Sequence, residues 1–351
     1  MRYIWVGAGR KAEKLLIKWR RLDASSIPSV ILDNDIGKIG TYMHGVPIDA
    51  VSNIASYLTV PYEIIITVVD GGALIEQINA LGFNKNIIHF PIKDWSLTRQ
   101  LLQRNKQLME NKKAKRCFII GTGPSLLQQN LQLLADEDTI IVNTSYRDDS
   151  LISLNPKYWV VADPGFWLQK AQYLDRLLET MRDRLPITKL FIHNDSYGYM
   201  TDNDPAADRV YYYLLEHIVN YEPTILNFEK ALPEFAQNVI SVALMLAISL
   251  RYEEIILIGC DHSWWGYSIQ DIENGVWSAH SYEENEKEIN TYKNGWREHG
   301  YEKLQRIINT QKSEYEALRL IAEQSSLRIR NATAGGHLDS FERVTYEDLF
   351  I

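Results

Sequence analysis

Two glycine-rich loops carry the first residues of this sequence whose types and spacing suit a chemical task. Gly7-Ala-Gly9-Arg10 follows an apolar run near the start, and Gly121-Thr122-Gly123-Pro124-Ser125 follows another in the second half. Glycines let the backbone approach a phosphate closely, and the N–H groups at the start of the next helix face the anion. Both loops therefore predict a phosphate-binding site.

The first loop also has the spacing of the dinucleotide fingerprint. Asp33 ends the next predicted strand roughly 20 residues on, where an acidic side chain takes the ribose hydroxyls. A domain of this kind needs a tight strand-to-helix turn with or without a cofactor, so the motif has two explanations. Gly7, Gly9, Arg10 and Asp33 form a second candidate ligand site.

Polar side chains in the second half fall at the ends of predicted strands. In an open parallel sheet, ligands gather beyond the carboxyl ends of the strands, where the strand order switches. The residues at these ends are Gly121, Asn143, Asp163, Asn194 and Asp261. Their convergence predicts a binding site in the second half.

The elements that must position these residues alternate along the whole chain. Short β-rich apolar runs are separated by segments with helical period, which is typical of parallel sheets covered on both faces. The predicted strands are Tyr3–Val6, Ser29–Leu32, Glu63–Val68, Asn86–Phe90, Cys117–Ile120, Thr139–Val142, Tyr158–Val161, Lys189–Ile192, Ile255–Ile258 and Leu327–Arg330. The predicted helices are Lys11–Arg21, Gly72–Leu81, Leu127–Ala135, Ala236–Leu250 and Lys303–Gln324.

The fold class that follows is α/β, with two Rossmann-like domains whose sheets are mainly parallel. The length of 351 residues exceeds what one hydrophobic core supports. We predict an N-terminal domain at 1–95, a connecting helix or linker at 96–115, and a larger domain at 116–351 that carries the active site. The linker ends in the basic run 111–116, which favours a solvated helix over a nucleic-acid patch.

Composition limits the function further. Hydrophobic residues make up 46% of the chain and charged residues 23%, and the net charge of −8 argues against general nucleic-acid binding. The two cysteines, Cys117 and Cys260, lie in apolar runs, as expected for buried thiols in a reducing compartment. We find no apolar run long enough for stable membrane insertion, so we expect a cytoplasmic protein, and a homo-oligomer on general frequency alone.

Several motifs of the second half together resemble a known family. They are Gly121-Thr-Gly-Pro-Ser-Leu126, Ile141-Val-Asn-Thr-Ser145, Ala162-Asp-Pro164, Gly259-Cys-Asp261 and Asn331-Ala-Thr-Ala-Gly-Gly336. Over about 115–340 the chain resembles the domain family named after archaeal 6-hydroxymethylpterin diphosphokinase. That family includes motility-associated factors that glycosylate flagellin, and it is similar to bacterial sialyltransferases with an N-G-P-S-L loop. Residues 33–47 resemble the N-terminal domains of bacterial sugar acyltransferases.

This resemblance implies roles for individual residues. The nucleotide phosphates would lie on residues 121–125, and Asn143 would meet the nucleotide sugar or phosphate. Asp163 stands where the sialyltransferases have an asparagine, and 238–241 reads Asn-Val-Ile-Ser where they have donor-binding Ser and Gly. The remaining candidates for donor binding are Asn194, Ser241, His262 and Tyr267.

A long segment at about 262–302 is predicted to be an irregular lid over the substrate. Sugar transfer needs a base for the acceptor hydroxyl and groups that neutralise the leaving phosphate. His280 is the first choice for the base, and Tyr267 and Tyr282 are candidate donors to the phosphate. Asp261 completes the candidate catalytic group. The competing histidines are His262, His299 and His337.

The function that the resemblance implies is glycosyl transfer from a nucleotide-activated sugar. The donor class is a CMP-linked nonulosonate, and the acceptor is a bacterial surface glycan, a lipid-linked sugar or a protein. No metal or cofactor is implied for that reaction. Three alternatives stay open: a phosphotransferase of the pyrophosphokinase type that needs ATP and Mg²⁺, a non-catalytic nucleotide-sugar sensor or scaffold, and an NAD-dependent sugar oxidoreductase.

Overall fold

The structure is a computed structural model in which the chain divides into two compact units. It describes residues 2–10, 12–13, 15–17, 27–57, 62–68, 72–83, 87–89, 100–110, 114–168, 171–199, 206–216, 226–230, 232–233 and 238–351. The first unit holds 1–98, 167–169 and 196–201, and the second holds 99–166, 170–195 and 202–351.

The first unit is built on a six-stranded sheet. Its strands are β1 Arg2–Val6, β2 Val30–Asp33, β3 Tyr42–Met43, β4 Val46–Ala50, β5 Tyr62–Ile66 and β6 Ile87–His89, and its helix α1 is Gly72–Ala80. The strand order is β3-β4-β2-β1-β5-β6, and β3–β4 is the antiparallel pair among described strands. Ile4 and Val6 join one core cluster and Trp5 another, because successive side chains of a strand point to opposite faces. Both faces of this sheet are therefore covered.

The second unit contains a sheet of eight parallel strands. They are β7 Arg116–Ile120, β8 Asp138–Val142, β9 Tyr158–Val161, β10 Lys189–His193, β11 Val210–Tyr213, β14 Glu254–Ile258, β15 Arg328–Asn331 and β16 Glu342–Arg343. A separate small pair is formed by β12 Leu215–Glu216 and β13 Leu232–Pro233. The strand order is β11-β10-β9-β8-β7-β14-β15-β16, so the direction of winding switches between β7 and β14.

The helices after residue 99 include one that is apolar on all sides. They are α2 Lys106–Glu110, α3 Asp149–Ser153, α4 Gly165–Leu168, α5 Ala171–Asp183, α6 Val239–Ser249, α7 Ile269–Glu273, α8 Glu286–His299 and α9 Tyr301–Gln324. Every residue of α6 from Ile240 to Ser249 is buried, because the helix packs between the sheet and α9. Asn238 caps α6 by accepting hydrogen bonds from the N–H groups of Ile240 and Ser241.

The α/β fold class is confirmed, and the predicted strands lie within about two residues of the observed ones where the structure describes them. Two predictions are wrong. The Leu127–Ala135 helix is a pair of short 3-10 helices, Pro124–Gln128 and Leu131–Leu134, because the backbone of Gln129 is extended. The 262–302 segment is not irregular, since it contains α7 and α8. Lys11–Arg21 is helical at its described positions and otherwise lies outside the described residues.

Helix α2 lies in the predicted linker, and Arg116 at the end of the basic run forms an ion pair with Glu137. In the part of the chain that the structure describes, no helix has the length and apolarity needed to cross a membrane.

Candidate functional site

The second glycine loop lies at the switch point between β7 and β14. The N–H of Gly121 donates to the Ile258 carbonyl over 2.8 Å, and the N–H of Gly123 donates to the Gly259 carbonyl over 2.9 Å. A Cβ at Gly121 would overlap the Gly259 carbonyl, and one at Gly123 would overlap the Asp261 carboxylate. Close contact between the two loops therefore requires these glycines, whether or not a phosphate binds above them.

Asp261 is held by the same loop. Its carboxylate accepts hydrogen bonds from the Ser125 hydroxyl at 2.8 Å and from the Ser125 N–H at 3.1 Å. Burial raises the pKa of Asp261, and the two bonds from Ser125 oppose that shift. The Ser125 hydroxyl, expected at a phosphate, is thus engaged with a buried carboxylate. Pro124 begins the 3-10 helix that carries Ser125.

A cleft of about 420 Å³ opens above the switch point within the second unit. Its floor is formed by residues 121–123 and 259–262, and the start of α6 contributes Val239 and Ile240. The opposite wall comes from 277–280 and from one face of α8. That face presents Thr291, Tyr292, Gly295, Trp296 and His299.

The lid segment 277–282 is hydrogen-bonded across the glycine loop. The N–H of Ser281 donates to the Thr122 carbonyl at 2.8 Å, and the Ser281 hydroxyl donates to Asp148 at 3.0 Å. The Tyr282 hydroxyl lies 2.7 Å from the Thr144 hydroxyl, just after β8. These contacts place the lid over the carboxyl ends of β7 and β8.

Arg147 fastens α8 to the same strand ends. Its guanidinium donates to both carboxylate oxygens of Glu288, each at 3.0 Å, and to the Glu283 carbonyl at 2.7 Å. It also lies over the Tyr282 ring, 4.5 Å from the ring centroid. This bidentate ion pair holds α8 beside the carboxyl ends of β7 and β8.

His280 is the histidine that the lid brings to the cleft beside other rings. It stacks on Tyr282 with centroids 4.8 Å apart and lies 5.2 Å from the Trp277 ring. Burial, with a smaller contribution from the Arg147 charge, lowers the pKa of His280 to about 4. The imidazole is therefore neutral at neutral pH and can accept a proton.

Glu284 supports His280 from inside the lid. Its Oε1 lies 3.3 Å from His280 Nδ1, but the contact lacks hydrogen-bond geometry, and both atoms are buried without a hydrogen-bond partner in the described part of the chain. Burial raises the pKa of Glu284, while the Arg147 charge and hydrogen bonds from Trp277 and the His280 backbone oppose the shift. Sequence reasoning missed Glu284, although its spacing of four from His280 was visible.

His262 lines the cleft, but its ring is fixed by protein groups. Nδ1 lies 3.2 Å from the Cys260 carbonyl, and Nε2 lies 2.8 Å from the Tyr315 hydroxyl. Burial lowers the pKa of His262 to about 4. His299 lies at the far end of the α8 face, and the backbone N–H of His337 donates to the Asp261 carbonyl. Tyr267 packs edge-on against Trp296, and burial raises its pKa to about 12.

Eight of the residues predicted for this site lie outside the cleft lining: Pro124, Ser125, Asn143, Asp163, Asn194, Ser241, Tyr267 and Tyr282. Asn143 accepts a hydrogen bond from the Ala162 N–H, and exposed Asp163 accepts one from Gly165. Asn194 follows β10, three strands from β7, a separation of about 14 Å at normal strand spacing. Ser241 donates to Glu314 on α9, away from the cleft.

The groups around the first glycine loop are bonded to and packed against other residues of the first unit. Asp33 accepts hydrogen bonds from the Ala8 N–H and the Asp35 N–H, and Lys38 lies 3.7 Å away. Gly7 has a φ of +108°, and a Cβ there would overlap Val68. Gly9 has open space around it, and Arg10 is exposed. The carboxylate expected to take ribose hydroxyls already binds backbone N–H groups.

No cluster of three or more His, Cys, Asp or Glu side chains suited to a metal ion occurs among the described residues. Comparison with known proteins adds no relative. No family model, no curated protein and no solved structure matches this chain.

Sequence reasoning also missed the α8 wall. Tyr292 stacks on Trp277 with centroids 4.3 Å apart and planes at 6°, and Trp296 packs on Trp264 at 5.1 Å. The signal was a spacing of four between Tyr292 and Trp296, which puts both side chains on one face of a helix. That spacing is informative only when the segment is recognised as a helix.

Proposed function

We propose that this protein is a glycosyltransferase that takes a sugar from a nucleotide donor, with a CMP-linked nonulosonate as the donor class. The observation that carries the proposal is a lid hydrogen-bonded over a glycine loop at the switch point of a parallel sheet, with a neutral histidine in its cleft wall. Ligands of open α/β sheets bind at such switch points.

The charge of the cleft supports a donor with one phosphate. No lysine or arginine is among the described residues that line it, and the N–H groups of Gly121, Gly123, Ile240 and Ser241 donate to protein acceptors, so the cleft offers little to neutralise an anion. A CMP donor carries one phosphate, whereas nucleoside diphosphate sugars carry two and ATP three. Of these donors, the CMP-linked sugar brings the least negative charge into the cleft.

The lid side chains supply the steps that transfer needs. His280 takes the proton of the acceptor hydroxyl, and the acceptor oxygen attacks the anomeric carbon of the sugar. The bond between that carbon and the phosphate oxygen breaks, and its electron pair leaves with CMP. Burial raises the pKa of Tyr282 and keeps it a phenol, and its hydroxyl, which lies 2.7 Å from that of Thr144, would turn from that contact to donate to the leaving phosphate.

The acceptor would be a glycan, a lipid-linked sugar or a protein. We propose the cytoplasm as the compartment of the reaction, and the two buried free thiols, Cys117 and Cys260, support this.

A ligand panel with a base-deficient variant tests the proposal. We expect CMP to raise Tm of the wild type and of His280→Gln, since binding stabilises the native state by about 2.7 kcal/mol at 100 times Kd. With a CMP-nonulosonate and a glycan acceptor, His280→Gln should lose about 10²–10⁴-fold in turnover. The panel also contains CDP, UDP, GDP, ATP with Mg²⁺, and NAD(H).

Other outcomes would replace the proposal. A shift with ATP and Mg²⁺ alone would favour the phosphotransferase, and a shift with NAD(H) alone would favour the oxidoreductase. Binding of CMP sugars without turnover under any acceptor would favour a sensor or scaffold. Near-full turnover in His280→Gln would remove that residue from the mechanism.

A further inference from the structure

Gly295 stands in the interior of helix α8 without a packing reason. It is the tenth residue of Glu286–His299 and lines the cleft, and a Cβ built on it would meet no atom within 4 Å apart from its chain neighbours and the backbone of its own helix. Glycine is the poorest helix former after proline, because it loses the most backbone freedom on folding. By contrast, the glycines at 121 and 123 are explained by contacts with the neighbouring loop. The space over Gly295 is empty of protein.

Aromatic rings stand on both sides of this bare stretch of backbone. Tyr292 is one turn before Gly295, is 40% exposed and has Trp277 stacked on its ring. Trp296 follows Gly295 and is supported by Trp264. We call Tyr292, Gly295 and Trp296 the α8 saddle. A flat ring seated there would contact helix backbone below and aromatic side chains at its edges.

The polar groups around the saddle suit an uncharged ligand with hydroxyls. Ser278, Thr291 and His299 line the same cleft, and burial lowers the pKa of His299, which favours the neutral ring. One face of a pyranose ring is a patch of C–H groups, which would lie on the bare backbone at Gly295 while the edges of the ring contact Tyr292 and Trp296. Its hydroxyls point outward from that patch toward such a rim.

We propose that the α8 saddle is the subsite for a pyranose ring of the acceptor, an inference that rests on the proposed transferase function. The hydroxyl that is deprotonated must lie about 3 Å from the base. His280 lies beside the saddle, with its ring centroid 6.3 Å from that of Tyr292. The glycine loop remains for the donor phosphate. The saddle thus holds the second substrate on the base side of the cleft.

Saturation-transfer NMR with simple pyranosides tests this assignment directly. The probes are methyl β-D-galactopyranoside and methyl β-D-glucopyranoside, with CMP binding followed by Tm in parallel. We expect saturation to reach the ring C–H protons of at least one probe in the wild type. In Gly295→Leu, whose side chain fills the saddle, the signal should fall at least fivefold while the CMP shift stays. Gly295→Ala should raise Tm by roughly 2–4 °C, since the helix gains propensity.

Asn290→Ala is the matched control, because Asn290 is an exposed residue of α8 outside the cleft lining. It also improves helix propensity, and the pyranoside signal should be unchanged. An equal signal in wild type and Gly295→Leu, or none in the wild type, would overturn the assignment. So would loss of the CMP shift in Gly295→Leu, which would put the nucleotide in the saddle. Absence of CMP binding and donor cleavage in the wild type would instead overturn the proposed function.

Discussion

At the scale of single residues, the behaviour of His280 depends on the carboxylate behind it. Glu284 Oε1 lies 3.3 Å from Nδ1 of His280, and with a proton on Nδ1 the ring nitrogen that has a free electron pair is Nε2. Glu284 does not itself line the cleft. It acts through His280 and is a positioning residue.

Replacement of Glu284 by glutamine tests this positioning role. Because the pKa of His280 is about 4, turnover should be present above that pH and lost as the pH falls through it. Glu288 is the carboxylate that raises the pKa of His280, and burial raises the pKa of Glu284 so that its carboxyl is mostly protonated through the acid limb, which should therefore stay in place. We expect kcat to fall about tenfold or more with little change in KM, since the imidazole is no longer positioned for proton transfer. The measurement is kcat and KM from pH 3.5 to 8.

The neighbouring exposed residue gives the control. Glu283→Gln removes a carboxylate from the same segment without removing the contact to His280, so its pH profile should match the wild type. If Glu284→Gln lowers Tm but leaves kcat near that of the wild type, Glu284 is only a structural residue of the lid.

The sequence predicts which residues lie near the site, but it does not predict which groups they contact. The residues at strand ends follow from the apolar runs before them, and Gly121, Asp261 and His280 do lie around one cleft. The hydrogen-bond partner of each side chain does not follow from the sequence. Ser125 donates to Asp261, and His262 contacts Tyr315, 53 positions away. Such partners depend on loop packing across the sheet, which no local pattern encodes.

At the scale of elements, the lid shows why a helix can be overlooked. Helix α8 has no buried residue, so it lacks the apolar stripe that reveals a helix in sequence. Its start was marked only by a capping box, in which Asn285 accepts from the Glu288 N–H and Glu288 accepts from the Asn285 N–H. The strands were predicted well because apolar runs bounded by polar residues identify buried parallel strands.

Glu288 takes part both in this cap and in the ion pair with Arg147 that holds α8 at the strand ends. Arg147→Met should loosen the lid, because it leaves the partly buried Glu288 carboxylate without its guanidinium. We expect a loss of about 1–2 kcal/mol, between the values for exposed and buried pairs. Hydrogen exchange should become faster at the amides of 277–299, which mass spectrometry of peptides can resolve.

Arg319→Met is a control of the same chemistry. Arg319 forms exposed pairs with Glu316 and Glu323 on α9, away from the lid, and should cost little. Unchanged exchange at 277–299 in Arg147→Met would mean that the hydrogen bonds of Ser281 and Tyr282 hold the lid without the ion pair.

At the scale of the whole molecule, the two large sheets of the described structure each contain a switch point. The first lies between β1 and β5, and the second between β7 and β14. Alternation of strands and helices was sufficient to predict this architecture, because parallel strands require crossover helices. The difference between the units is chemical. At the first switch point Asp33 binds its own loop, whereas the second opens into a cleft.

Because both cysteines lie in the second unit, the reactivity of their thiols reports the stability of that unit alone. Both thiols of the chain lie in this unit, Cys117 within β7 and Cys260 two residues after the end of β14. Each is buried, and burial raises the pKa of Cys260, so neither should react with an aromatic disulfide reagent in the native state. Central strands open only when the unit unfolds as a whole.

Thiol labelling should therefore report the unfolding of the second unit, and CMP should slow it. When reclosing is faster than reaction, the labelling rate follows the population of the open state. A ligand at 100 times Kd lowers that population about 100-fold, so both thiols should react about 100 times more slowly. Mass spectrometry of labelled peptides separates the two sites. If Cys260 reacts well before Cys117, the loop at 259–261 opens without the sheet, and the floor of the cleft is then a moving part rather than a fixed one.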